Sequence, residues 1–317
     1  MSIVEALPWH RPQWDQLRAG RAAGRLGHAF LLAGPRGVGK RRFAMRLAAL
    51  LLCERNGAEP CGQCRSCLLM TSGSHPNLQI LQPAEDKRDI AVEDVREACE
   101  RLALTAHYGG AKVTLILPAD ALNANGVNAL LKTVEEPPAG SYLFFITDRP
   151  MLLAPTLRSR CQFVRFAIPP RDVAAAWLKA ADAKMDAAAL DLAHGAPLRA
   201  LELVESGAVD RHMQWARSIG SVIAGQGNPL EVASRMKKPE AVEFLDWLIG
   251  WAVAQQRAGV TGKSRGAIDA ASLDALIQAC IEALPRLHQS APPQLTVESI
   301  MIKLWQLARK PSKELRA

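Results

Sequence analysis

The stretch Gly34-Pro35-Arg36-Gly37-Val38-Gly39-Lys40-Arg41 limits the folds open to this chain more than any other. It follows a short apolar run, Ala29-Phe30-Leu31-Leu32-Ala33, and precedes a helical pattern over Arg42–Leu52. An apolar run ending in a glycine-rich turn reads as a buried parallel strand feeding a helix. In G-x-x-x-x-G-K-[ST] the backbone N–H groups of the turn cradle phosphates, the lysine reaches the terminal ones, and the last hydroxyl ligates Mg²⁺. Gly34, Gly37, Gly39 and Lys40 supply the loop here, but Arg41 stands at the hydroxyl position. A guanidinium offers a metal no acceptor and places positive charge where the cation would sit. The spacing predicts a nucleotide-binding fold that has lost its chemistry.

Further strands are predicted at Lys112–Leu117 and Tyr142–Thr147, with helices at Ala91–Leu104 and Asn125–Glu136 between them. This alternation implies a parallel α/β sheet up to about Phe166. From Pro169 onward strand signals stop. Helical patterns cover Asp172–Ala183, Ala187–His194 and a segment from Leu198, and a boundary is placed at Gly207. Beyond it Arg211–Ala224, Pro229–Met236, Pro239–Arg257, Ala270–Arg286 and Val297–Leu307 read as helices, and Lys310–Ala317 as a frayed charged tail. A phosphate-loop ATPase also needs carboxylates just past a nearby strand, to hold Mg²⁺ and activate water. The residues there are Leu117 and Pro118, and Asp120 lies too far along to replace both. Two magnesium-handling features are missing together, which argues against hydrolysis.

Cys53, Cys61, Cys64 and Cys67 are spaced C-x₇-C-x₂-C-x₂-C, with Pro60, Gly62 and Ser66 as turn residues. Four thiolates so grouped suit a closed tetrahedral, structural Zn²⁺ site stapling an insertion over about residues 53–75. With four sulfurs filling the shell, His75 reads as a turn residue before Pro76, and Cys99 and Cys280 fall on apolar helical faces. In Asn128-Ala129-Leu130-Leu131-Lys132-Thr133-Val134-Glu135-Glu136-Pro137-Pro138, helical spacing puts Asn128, Lys132 and Glu135 on one face before a diproline stop. Arg160, in Leu157-Arg158-Ser159-Arg160-Cys161, reads either as an ordinary ion-pair partner or as an arginine finger given to a neighbour's nucleotide.

Composition narrows the setting. The chain has 317 residues, 49% of them hydrophobic and 22% charged, enough for two or three cored domains. A net charge of +8, spread along the chain, permits a nucleic-acid partner without requiring one. Met1–Trp14 has no apolar core, and the longest apolar helical run, Phe43–Cys53, is broken by Arg46 and too short to span a bilayer. No membrane association and a cytoplasmic location are expected, where seven cysteines serve as metal ligands or buried thiols sooner than disulfides.

Together these residues resemble the clamp-loader branch of the AAA+ superfamily. The likeness runs through Arg25-Leu26-Gly27-His28-Ala29-Phe30, the glycine loop, the four cysteines, the Asn128–Pro138 run, Thr147 and Ser159-Arg160-Cys161, over about residues 8–200. It implies an AAA+ P-loop domain at 1–166 carrying the zinc insertion, a small helical lid domain at 167–207 and a helical collar domain at 208–317. It makes Arg160 a trans-acting finger, Thr147 a sensor-1 residue and Arg199 a neighbour of the sensor-2 position. The family's ATPase subunits, gamma/tau, carry Lys-Thr or Lys-Ser in the loop and Asp-Glu after the later strand. Lys40-Arg41 and Leu117-Pro118 depart from both, so the resemblance implies the loader's non-hydrolysing subunit. The implied partners are the gamma/tau and delta subunits and, through the complex, a sliding clamp and primed DNA. The implied cofactor is structural Zn²⁺, with nucleotide not required and idle binding left open. Three other readings stay open: an active loader ATPase with unusual magnesium ligation, a zinc-dependent DNA-binding module, and a structural AAA+ subunit of another assembly.

Overall fold

Side chains alternate across a strand, so β1 (Ala29–Ala33), buried at every position, feeds two cores at once. Phe30 and Leu32 point to one face of the sheet, where they pack with Trp14 and Leu17 of α1 (Arg11–Ala22) and Phe43, Leu47 and Leu50 of α2 (Lys40–Leu52). Leu31 and Ala33 point to the other, against Val95 and Leu102 of α4 (Val92–Ala103) and Leu130 and Val134 of α5 (Ala124–Glu135). A sheet covered on both faces needs near-continuous apolar strands, as β1, β3 (Lys112–Ile116) and β4 (Ser141–Thr147) have.

The computed structural model describes residues 6–85, 87–104, 110–181, 187–234, 236–260, 268–288 and 291–309. The predicted tail at 310–317 lies outside them. Two short strands complete the sheet, β2 (Leu78–Leu81) and β5 (Gln162–Arg165), giving the all-parallel order β2-β3-β4-β1-β5. This is a parallel α/β sheet of the kind the resemblance implies, and helices alone follow it among the described residues. Ala33 of β1 sits opposite Thr147 of β4, so the turns after both strands emerge side by side.

The chain divides into two compact units, Met1–Leu201 and Glu202–Ala317. The first also holds α3 (Arg65–Ser72), α6 (Pro155–Arg158), α7 (Arg171–Ala181) and α8 (Ala187–Leu192), and α9 (Pro197–Glu205) runs across the division. The second contains α10 (Ala208–Ile223), α11 (Lys238–Val260), α12 (Ala270–His288) and α13 (Pro293–Ala308) around Trp215, Phe244, Leu248, Leu276 and Leu304.

The helix predicted at Pro229–Met236 is not seen over residues 229–234, which are a series of turns. Asn228 Oδ1 accepts from Leu230 N at 3.0 Å, an Asx turn that competes with helical bonding. Among the described residues, no helix is long and apolar enough to cross a membrane.

Candidate functional site: a phosphate loop, a four-thiol cluster and an exposed arginine

Gly34–Lys40 joins β1 to α2, and Gly37 (φ 78°) and Gly39 (φ 95°) take left-handed backbone that favours glycine. Neighbouring segments pack closely against the loop's glycines. A Cβ on Gly34 would lie 2.1 Å from the Phe166 carbonyl oxygen, and one on Gly37 would lie 2.4 Å from Cβ of Arg199. Leu198 N donates to the Gly37 carbonyl at 3.0 Å, so the start of α9 rests on the loop. From the N-terminal side Leu7 covers Gly39, while Trp9 Nε1 and His10 Nε2 both donate to the Val38 carbonyl, at 2.9 and 2.8 Å.

Lys40 is 5% exposed, and its ammonium makes three short contacts within the chain. It donates to the carbonyls of Gly34 (2.7 Å) and Pro35 (2.8 Å) and to Oδ1 of Asp148 at 2.5 Å. An ammonium has three hydrogens, and these partners take all of them. Asp148 lies one residue beyond the Ala33–Thr147 register pair, which is why its carboxylate reaches the loop. Sequence reasoning missed Asp148; pairing β1 with β4 in register would have brought it to notice. Arg41, at the hydroxyl position, is exposed. Thr147 is buried, and its hydroxyl donates to Oδ1 of Asp120 at 2.5 Å and accepts from Arg149 N at 2.9 Å.

Cys53 closes α2, Cys61 and Cys64 lie on the following turn, and Cys67 is in the first turn of α3. All four Sγ atoms lie within 4.8 Å of one another. Cys53–Cys64 is 4.0 Å and Cys61–Cys67 is 3.9 Å. A tetrahedron with sulfurs about 2.3 Å from its centre has edges of about 3.8 Å, so the cluster fits a Zn²⁺-sized ion. Backbone N–H groups support the sulfurs: Cys64 N points at Cys61 Sγ (3.3 Å) and Cys67 N at Cys64 Sγ (3.4 Å). The N–H groups of Gln63 and Cys64 pull the Cys61 thiol down to about 6, toward the thiolate a metal needs, while burial pushes Cys67 up. His75 is not part of the cluster. Its Nδ1 accepts from Asn77 N at 3.1 Å and its Nε2 bonds Ser66 Oγ at 2.7 Å, which fixes it as a buried turn residue. Glu59 ties the insertion to the body, accepting from Trp14 Nε1 (2.7 Å) and Arg46 Nη2 (2.6 Å).

Arg160 stands between α6 and β5, on the surface. Its Nε donates to Glu135 Oε1 at 2.6 Å and its Nη1 to the Thr156 carbonyl at 2.9 Å. The structure thus groups Gly34, Gly37, Gly39 and Lys40 with Arg199, and the four cysteines with one another, and leaves Arg160 paired with Glu135. Cys99 Sγ contacts the Ala129 carbonyl at 3.7 Å between α4 and α5, and Cys280 is buried in the second unit's core.

A family model described as DNA polymerase III, delta subunit, matches residues 9–170. The chain is 35% identical to DNA polymerase III subunit delta' of Pseudomonas aeruginosa over 269 residues, 83% of this chain and 81% of that one. It is 42% identical to the delta' subunit of Escherichia coli strain K12 over 202 residues, 62% of this chain and 60% of that one. A DNA polymerase III subunit gamma/tau of Mycobacterium bovis matches at 32% over 210 residues, 62% of this chain and 36% of that one.

Proposed function

The chain belongs to the delta' family of DNA polymerase III subunits, and from that premise we propose that it is a clamp-loader subunit that does not itself hydrolyse ATP. Its reading is that of a stator: it holds the ring's geometry and lends Arg160 in trans to the ATP site of an adjacent gamma/tau subunit. There the guanidinium would offset charge developing on the γ-phosphate, an effect worth roughly 10³–10⁵ in rate in related NTPases. The delta subunit completes the ring, and the sliding clamp and primed DNA are engaged through the complex. Contacts with DNA would run through phosphates and weaken with salt.

The observation that carries the non-hydrolysing part is the loss of both magnesium-handling features: Arg41 stands at the position of the metal-binding hydroxyl, and Leu117-Pro118 stand at the position of the acidic pair. The Arg160 part is supported by its surface position at the end of the sheet domain. We assign 1–166 to the AAA+ domain, 167–207 to the lid and 208–317 to the collar. Cys53, Cys61, Cys64 and Cys67 would hold Zn²⁺, which would fix the shape of the insertion.

ATP hydrolysis is measured for the isolated chain and for the complex rebuilt with gamma/tau and delta. The isolated chain is expected to show no turnover, and Arg160→Ala to leave assembly intact while lowering the complex's DNA-stimulated ATPase. Turnover by the isolated chain that disappears in Lys40→Ala would sink the stator reading.

A further inference from the structure

The Asn128–Pro138 run and the Ser159-Arg160-Cys161 triplet are separate in sequence but meet at one contact. Glu135 ends α5 just before Pro137-Pro138, and its carboxylate receives Arg160 Nε at 2.6 Å. Arg160 Nη1 goes to the Thr156 carbonyl at 2.9 Å, with Ser159 Oγ further off at 3.5 Å. We infer that Glu135 is a positioning residue for Arg160, ordering the guanidinium at the surface so that it meets a neighbour's γ-phosphate with its side chain already fixed. The inference rests on the reading of Arg160 as a trans-acting finger.

Three observations favour positioning over plain stability. A carboxylate at the end of α5 faces the negative end of the helix dipole, so Glu135 is locally misplaced unless a cation answers it. Local conflicts of this kind collect at functional sites. The pair is also open to water, with Arg160 39% and Glu135 47% exposed, and exposed pairs add little to folding. Finally, Nε and Nη1 are held from two different elements, α5 and α6, which sets the plane of the guanidinium and the direction of its fork. Arginine's side-chain freedom corresponds to roughly thirtyfold in an equilibrium, which bounds what such ordering can contribute.

The test uses the complex rebuilt with gamma/tau and delta on primed DNA. The difference between wild type and Arg160→Ala defines the finger-dependent part of DNA-stimulated ATP turnover. Glu135→Ala is expected to lower that part about tenfold, within the bound set by the rotamer freedom of arginine. The KM for ATP, complex assembly and the subunit's melting temperature should stay at wild-type values. Glu135→Gln, which keeps an acceptor oxygen at the same reach, should retain most of the finger-dependent turnover. The Glu135→Ala/Arg160→Ala double variant should be no worse than Arg160→Ala alone. If Arg160→Ala removes the finger-dependent turnover but Glu135→Ala leaves it whole, the positioning role is overturned and the finger stands. If Arg160→Ala changes nothing, the finger reading fails and takes this inference with it. A Glu135→Ala subunit with a lowered melting temperature, not rescued by Glu135→Gln, would reassign the pair to folding and also overturn the inference.

Discussion

Replacing Asp148 with alanine removes one of the three acceptors around the Lys40 ammonium and leaves the Gly34 and Pro35 carbonyls in place. A hydrogen bond to a charged group contributes about 1.5–3 kcal/mol. The Asp148 side chain is 44% exposed, so water screens it and the loss falls to about 1 kcal/mol. For a unit the length of Met1–Leu201 that is a drop of about 2–4 °C in melting temperature. The second consequence is chemical: Lys40 regains a donor directed at the loop, next to the N–H groups of the first turn of α2. With a millimolar dissociation constant, about 10 mM inorganic phosphate would then stabilise the variant by about 1.4 kcal/mol through mass action. Calorimetric melts of wild type and Asp148→Ala, with and without phosphate at constant ionic strength, read both effects. The wild type should show no phosphate-specific rise, the variant should start lower and recover, and Lys40→Met in the variant background should cancel the recovery. A wild type that responds to phosphate as strongly as the variant would mean that Lys40 was available throughout, and the reasoning would be wrong.

Two other perturbations probe the rest of the first unit. Cys64→Ser removes the thiol that both caps α3 and sits in the four-sulfur cluster, and should release about one equivalent of zinc with a lower melting temperature; metal analysis showing unchanged zinc would refute the site. His10 is held neutral at a pKa of about 4 against 6.5, chiefly by burial, with Arg46 and Lys40 adding to the effect and the Val38 carbonyl opposing it. Its contribution is complete above about pH 6.5 and is lost as pH falls toward 4, on the order of 3 kcal/mol in all. Urea melts between about pH 6.5 and 5 should therefore show wild type losing stability faster than His10→Gln, and equal slopes would count against the assignment.

What the sequence disclosed depended on how local each signal was. Ala29–Ala33 was readable because a buried parallel strand is apolar at every position, and the strands at 112 and 141 and the helices beside them share that self-contained patterning. β2 and β5 were not readable. Each has four residues at an edge of the sheet, and Gln162, Phe163 and Arg165 are exposed, so no apolar run marks β5. The helix at Arg65–Ser72 was hidden by the cysteine spacing, since Cys64 serves as both cluster member and N-cap. Pro229–Met236 has helical periodicity, but Gly225, Gly227 and Asn228 supply turn chemistry that periodicity does not weigh.

The candidate site divides in the same way. The glycines, Lys40, Arg41 and the cysteines announce themselves by spacing, because a loop and a four-thiol cluster are built from near neighbours in the chain. Asp148 and Glu135 do not, because each acts on a cation far away in sequence: Lys40 lies 108 residues from Asp148 and Arg160 lies 25 from Glu135. The first contact is set by the sheet order, which brings the end of β4 beside β1, and the second by the packing of α5 against α6. Lys40 and Arg160 are thus cations of one domain under opposite constraints. The first is almost fully buried and paired with a half-exposed carboxylate; the second is held at the surface by a carboxylate that leaves it exposed. Under the proposed reading, the pairing of Lys40 inside the loop and of Arg160 at the surface is the arrangement expected of a subunit that acts on a nucleotide held by a neighbour.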